Sequence, residues 1–222
     1  GSSLTVVQPG FGYTSSQFGP EVTFGRTLAD ARPTENFALI KYAASGTNLY
    51  DQWDPNTGSN YSNFQNTVTN GLAALTNAGH TTEIVGMLWT QGERDARAIG
   101  DDGRANTYEA DLNELIADVR TNYGSDLPFF LSQLSSDQTN LPASGLNAVR
   151  LAQANVAAAD SLAWMINTDA FSLNDDDLHF DATGQQSLGT AFATSYINLV
   201  PEPATMSLLA LGGIAMLRRR KK

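Results

Sequence analysis

The chain holds two histidines, His80 and His179. His179 stands in NDDDLHFDATGQ, Asn174 to Gln185, three residues after Asp176. A carboxylate held against one imidazole nitrogen fixes the tautomer and frees the other nitrogen to take and return a proton. A three-residue spacing across a turn can bring two such side chains together. Chance also produces that spacing, and the stretch reads equally as an acidic loop capping the next helix. A second polar stretch, WTQGERDA, runs from Trp89 to Ala96. Gln91 offers a neutral amide donor, and Gly92 permits a tight turn or a close approach. Glu93 and Asp95 could anchor the loop or bind sugar hydroxyls; alternatively Glu93 pairs with Arg94 or Arg97 at the surface, where such a pair contributes little. A third stretch is Ser45-Gly46-Thr47. Gly46 could turn a backbone N–H toward an oxyanion. Ser45 is a candidate nucleophile, without the Gly-x-Ser-x-Gly elbow.

These groups need elements to position them. Apolar runs at Phe37–Tyr42, Glu83–Trp89, Leu127–Gln133 and Ser161–Asn167 predict four strands. Between them lie helical patterns: Glu21–Ala31, then Phe64, Val68, Leu72 and Leu75 on one face, then Tyr108, Leu112, Leu115, Ile116 and Val119. Further helices are expected over Leu146–Asp160 and from Thr183. Strands apolar on both faces, alternating with helices, predict a three-layer α/β domain around a parallel sheet. Ligands of such sheets bind beyond the carboxyl ends of the strands. The strands exit into AASGTN, TQGERDA, SQLSSD and, after a short loop, NDDDLHFD. Polar chemistry therefore collects on one rim. His80 precedes a strand and belongs to the opposite rim from His179.

The 222 residues suffice for one domain, and 41% are apolar. No cysteine is present, which excludes disulfides, thiolate metal sites and thiol nucleophiles. The acidic loops DPNTGSN and NDDD do not match the full EF-hand spacing. Neither a metal site nor a cofactor is expected. Residues 1–200 carry eight basic against 22 acidic groups. Such a body repels nucleic acid and anionic membranes, and a neutral or weakly charged substrate suits it better. Residues 1–199 read as the domain and 200–222 as a tail. In the tail the apolar run Ala204–Leu217 is followed by five cations. It is short for a membrane span, yet flanking residues can stretch it. The positive-inside rule puts the cations in the cytoplasm and the domain across the membrane.

The tail resembles the PEP-CTERM sorting signal of Gram-negative bacteria: Pro201-Glu202-Pro203, a short apolar helix, then an Arg-rich end. That resemblance implies export to the periplasm or cell surface, transient membrane contact through 204–217 and a sorting peptidase as partner. The body resembles the sialate O-acetylesterase-type branch of the SGNH hydrolases, which includes acetylxylan-esterase-like proteins. The likeness runs from about Gly19 to Leu199, through FGPEVTFGRTLAD, IKYAASGTNLYDQW, WTQGERDA, YEADLNELIADVR, RLAQANVA and DLHFDATGQQSLG. It implies a flavodoxin-like fold and hydrolysis of acetyl esters on a carbohydrate substrate. His179 would be the general base and Asp176 its orienting partner. The Gly46 N–H and the Gln91 side chain would help form the oxyanion hole, and Glu93 would brace the Gln91 loop. The family usually shows two glycines before the threonine, and here the first is Ser45. Its nucleophile is a serine in a Gly-Gln-Ser-Asn-type motif ending the first strand. Gly1 to Gly19 contain no such motif and no signal peptide. The nucleophile, its strand and the signal are therefore expected upstream of Gly1, and the chain as given is expected to be inactive. Two other functions remain open: a non-catalytic glycan-binding surface module with a degenerate esterase rim, and a calcium-dependent surface protein resting on the acidic loops.

Overall fold

A computed structural model describes residues 4–12, 14–97 and 104–200. The strand cores set the architecture. Phe129, Phe130 and Leu131 follow one another in β2 (Phe129–Ser132), and all are buried. A strand covered on both faces must lie inside a layered domain. β2 pairs in parallel with β1 (Met87–Trp89) on one side and β3 (Ala163–Ile166) on the other, in the order β1-β2-β3. Phe129 and Leu131 face a core completed by Tyr108, Leu112 and Val149. These come from α4 (Arg104–Tyr123) and α5 (Ala143–Ala159). Phe130 faces the other way, onto Phe24 and Leu28 of α1 (Glu21–Ala31) and Leu188 and Phe192 of α6 (Ala182–Leu199). Full burial of one such phenylalanine contributes roughly 1.5–3 kcal/mol. The result is the expected three-layer, flavodoxin-like α/β fold.

Local chemistry ends the elements. Asp181 caps α6, its side chain accepting from Gly184 N–H. α2 (Ser59–Asn77) buries Tyr61, Val68 and Leu75, and His80 N–H returns to Leu75 O at 3.1 Å. The C-termini of α1 and α6 are joined by Arg32. Its guanidinium is buried, donates to Ile197 O and Val200 O, and lies 5.1 Å from the Tyr196 ring centre. A cation among the last carbonyls of a helix completes groups that the helix itself leaves unbonded.

The strands are shorter than their apolar runs, and one differs outright. Residues 36–44 form no regular element and belong to no ladder among the described residues. Phe37 and Leu39 still pack with the α1–α6 side, and Tyr42 and Ala44 with the opposite core. The two-residue alternation is kept while the partner that would make it a strand is not in the described sheet. The first half of Glu83–Trp89 is likewise unpaired. The apolar run 204–217 lies outside the described residues. Among those described, no helix is long and apolar enough to cross a membrane.

The contact of α1 with α6 depends on Gly189. A Cβ there would stand well inside contact distance of Pro20 O and Thr23 Oγ1. Alanine gains about 1 kcal/mol of helix propensity. Overpacking against backbone costs about 1–3 kcal/mol and should win. Gly189→Ala is therefore expected to lower unfolding free energy in urea titration; an unchanged or higher midpoint would contradict this packing.

Candidate active site

Gln91 lies just beyond the end of β1. Its carbonyl receives Tyr108 Oη at 2.9 Å and Gln153 Nε2 at 3.1 Å. Gly92 follows with φ of 146°, and a Cβ there would meet Val149 Cγ1 at 2.9 Å. The backbone can turn this close to α5 only at a glycine. The chain then enters α3 (Glu93–Arg97), a single short helix that the sequence pattern does not reveal. This turn sets Asp95 four residues beyond Gln91, on the same side. The Gln91 amide nitrogen donates to Asp95 Oδ2 at 2.5 Å and to Thr47 O at 3.0 Å. Glu93 is half-buried and hydrogen-bonds to no described residue. Among the described residues, the carboxylate that holds the Gln91 side chain is that of Asp95, brought back against it by the turn at Gly92.

Asp95 also takes Leu49 N–H on both oxygens, at 3.1 and 3.0 Å, and Tyr50 N–H at 3.4 Å. It therefore ties the Gln91 loop to the loop carrying Gly46. That second loop is braced from within. Trp53 Nε1 donates to Thr47 Oγ1 at 2.9 Å, and Thr47 Oγ1 donates to Ala44 O at 3.1 Å. Asn48 Oδ1 accepts from Asp51 N–H and Gln52 N–H. Gly46 sits at the tip with φ of 66°, open space around it, and an N–H bonded to no described residue. Ser45 is exposed beside it.

His179 lies on a tight loop before α6. Asp176 Oδ1 accepts from Leu178 N–H at 3.0 Å and His179 N–H at 2.9 Å. Its other oxygen meets His179 Nδ1 at 2.6 Å. The carboxylate assigns the ring proton to Nδ1, leaving the Nε2 lone pair free. The His179 side chain is 64% exposed and that of Asp176 43%. Among the described residues, no hydroxyl bonds to Nε2. The loop is held from the neighbouring strand ends. Gln138 Nε2 donates to Leu178 O at 2.7 Å, and Asn140 Nδ2 to Asp176 O at 2.9 Å. Arg97 of α3 donates to Asn140 Oδ1 at 3.1 Å, which links the Gln91 side of the rim to the His179 side. Gln138, Asn140 and Gln153 are not singled out by the sequence: the first two are lone amides in a polar loop, and Gln153 is one amide within the helical pattern of α5. His80 precedes β1, at the other end of the sheet. Among the described residues no group of three His, Cys, Asp or Glu is placed to hold a metal ion.

Geometrically, the rim offers an oriented imidazole with a free nitrogen, an unbonded backbone N–H and a fixed amide. The His179 hydrogen bonds, ring first, hold the Asp176 carboxyl down at about 2. The folded value is depressed, so this contribution is present above the ordinary carboxylate range and is lost as pH falls through the folded value. The Asp176 loop is expected to stay intact through ordinary acid conditions and loosen only near about pH 2. An NMR titration of the Asp176 carboxyl checks this, and a midpoint near the usual 3.8 would contradict it.

Comparison with known proteins adds the family. Residues 7–198 match the model described as carbohydrate esterase, sialic acid-specific acetylesterase. Residues 199–221 match the PEP-CTERM protein-sorting motif, a mark of exported proteins. A search of curated proteins finds no match. An X-ray structure of a protein from Arabidopsis thaliana superposes with a TM-score of 0.68 at 20% identity, covering 86% of this chain and 72% of that one. At that identity the likeness concerns the fold. With a family model spanning nearly all of its folded body, the chain belongs to the carbohydrate esterase, sialic acid-specific acetylesterase family.

Proposed function

We propose that the protein is a carbohydrate O-acetylesterase working by a Ser-His-Asp mechanism. The observation that carries this reading is the Asp176–His179 contact at 2.6 Å on the carboxyl rim of the sheet. His179 Nε2 takes the proton of a serine hydroxyl as its oxygen attacks the acetyl carbonyl. Asp176 holds the ring and stabilises the imidazolium that forms. The proton then passes to the departing sugar oxygen, and water repeats the sequence on the acyl-enzyme.

The tetrahedral oxyanion is received by Gly46 N–H and Gln91. Of the two amide hydrogens of Gln91, the one facing Asp95 is buried. The other, outer hydrogen is taken by Thr47 O, in the loop that carries Gly46. The oxyanion competes with Thr47 O for that outer hydrogen, and the charge developing on it favours the exchange. Beside the His179 loop, a cavity of about 400 Å³ is lined by Phe171, Asn174 and the acidic residues Asp137, Asp169, Asp175 and Asp177. Arg150 pairs with Asp169 at 2.7 Å. Such a surface suits the hydroxyls and apolar face of a neutral sugar. Export would bring the domain to periplasmic or surface glycans, with a sorting peptidase acting on the tail after transient membrane contact through 204–217.

The test is acetate release from aryl acetates and acetylated sugars by the full-length protein. His179→Ala is expected to lower kcat by roughly 10²–10⁴-fold or more. Gln91→Ala is expected to lower kcat by about 10²–10³-fold with little change in KM. A rate unmoved by His179→Ala would refute the base assignment, and a rise in KM alone would make Gln91 a substrate contact. Glycan binding without any hydrolysis would favour the binding-module reading.

A further inference from the structure

Asp95 is an unusual group to keep. Its side chain is completely buried, and among the described residues no lysine, arginine or histidine pairs with it. Burying a carboxylate without a cation is costly, and only well-placed donors make it tolerable. Burial raises its pKa, and the bonds from Gln91, Leu49 and Tyr50 oppose that rise. Holding the two backbone N–H groups alone would not require a charge, since a neutral carbonyl oxygen accepts such bonds.

The difference lies in the Gln91 amide. Its two ends are nearly the same shape, so packing cannot tell nitrogen from oxygen; hydrogen bonds must. The nitrogen faces two acceptors, Asp95 Oδ2 and Thr47 O. The Gln91 side chain is buried, and among the described residues its Oε1 has no hydrogen-bond partner. Turning the amide over would bring Oε1 against a carboxylate and a carbonyl, two repulsive contacts at once. The two bonds of the nitrogen thus fix the direction of the amide. An amide able to donate to both Oδ2 and Thr47 O is already oriented toward the Ser45–Thr47 loop.

We propose that Asp95 is a positioning residue for ester hydrolysis: its carboxylate holds the inner hydrogen of the Gln91 amide, which presents the outer hydrogen to the reacting carbonyl, and it fastens the Gly46 loop in the same contact. The proposal rests on the reading of Gln91 as an oxyanion donor. Asp95 does not touch substrate. Its effect should therefore appear in kcat, and only while Gln91 is present.

A double-mutant cycle tests this in the full-length protein, with rates normalised to titrated active sites. Asp95→Asn lets the residue present its own NH₂ to Oε1 and so permits the flipped amide. It is expected to lower kcat about tenfold or more, with KM changed less than about twofold. In a Gln91→Ala background the same substitution is expected to change kcat by less than about twofold. Equal losses in both backgrounds would mean a merely structural role and overturn the proposal. A second measurement needs neither activity nor a stable variant. In the unsubstituted protein, the Gln91 side-chain NH₂, assigned by its loss in Gln91→Leu, should show two well-separated proton resonances, the Asp95-bonded one downfield and slow to exchange. Resonances averaged to free-glutamine positions would overturn the clamp. Absence of hydrolysis by the unsubstituted protein would instead defeat the esterase reading, and the NMR result would still decide the clamp.

Discussion

A parallel sheet delivers every strand's carboxyl end to the same rim, and the rest of this site depends on that constraint. Gln91 follows β1, Gln138 and Asn140 lie beyond β2, and the loop after β3 leads to Asp176 and His179. Groups far apart in sequence are thereby brought to one edge. The sheet supplies only approximate proximity, however. Hydrogen bonds set the final geometry: Gln153 joins Gln91 O to Leu134 N–H, and Asn140 joins Arg97 to the Asp176 backbone. Each of these amides offers both a donor and an acceptor, so it can join two loops that each present one free backbone or side-chain group.

The two halves of the rim differ in how they are held. The Gln91–Gly46 half is buried at its base and anchored by a carboxylate that solvent cannot reach. The His179–Asp176 half is exposed, and its carboxylate is kept ionised by short local bonds rather than by burial. This division suits an acyl-transfer site. Oxyanion donors gain most from fixed geometry in a dry setting, whereas an imidazole must exchange protons with an incoming hydroxyl and a departing sugar.

Much of this was legible in the sequence because it is local. The cores of three strands and the long amphipathic helices follow from periodicity, whereas the Asp176–His179 spacing alone left an acidic capping loop open and took its role from the family resemblance. The failures are equally physical. Phe37–Tyr42 has the alternation of a strand, but pairing is decided by a neighbour elsewhere in the chain. Glu93 and Asp95 were equivalent carboxylates while WTQGERDA read as a loop. A helix of five residues is too short to show a period, and only its turn tells which carboxylate meets Gln91. Asn140 gave no signal at all, since its partners at 97, 176 and 177 are distant in sequence.

In the proposed reaction, His179 activates a serine on this rim. Labelling with a fluorophosphonate, followed by mass spectrometry of the digested protein, tests it most directly. One modified serine is expected in the full-length protein, with loss of that label in His179→Ala while the fold stays intact. Acetate release without any labelled serine, or labelling indifferent to His179, would contradict it.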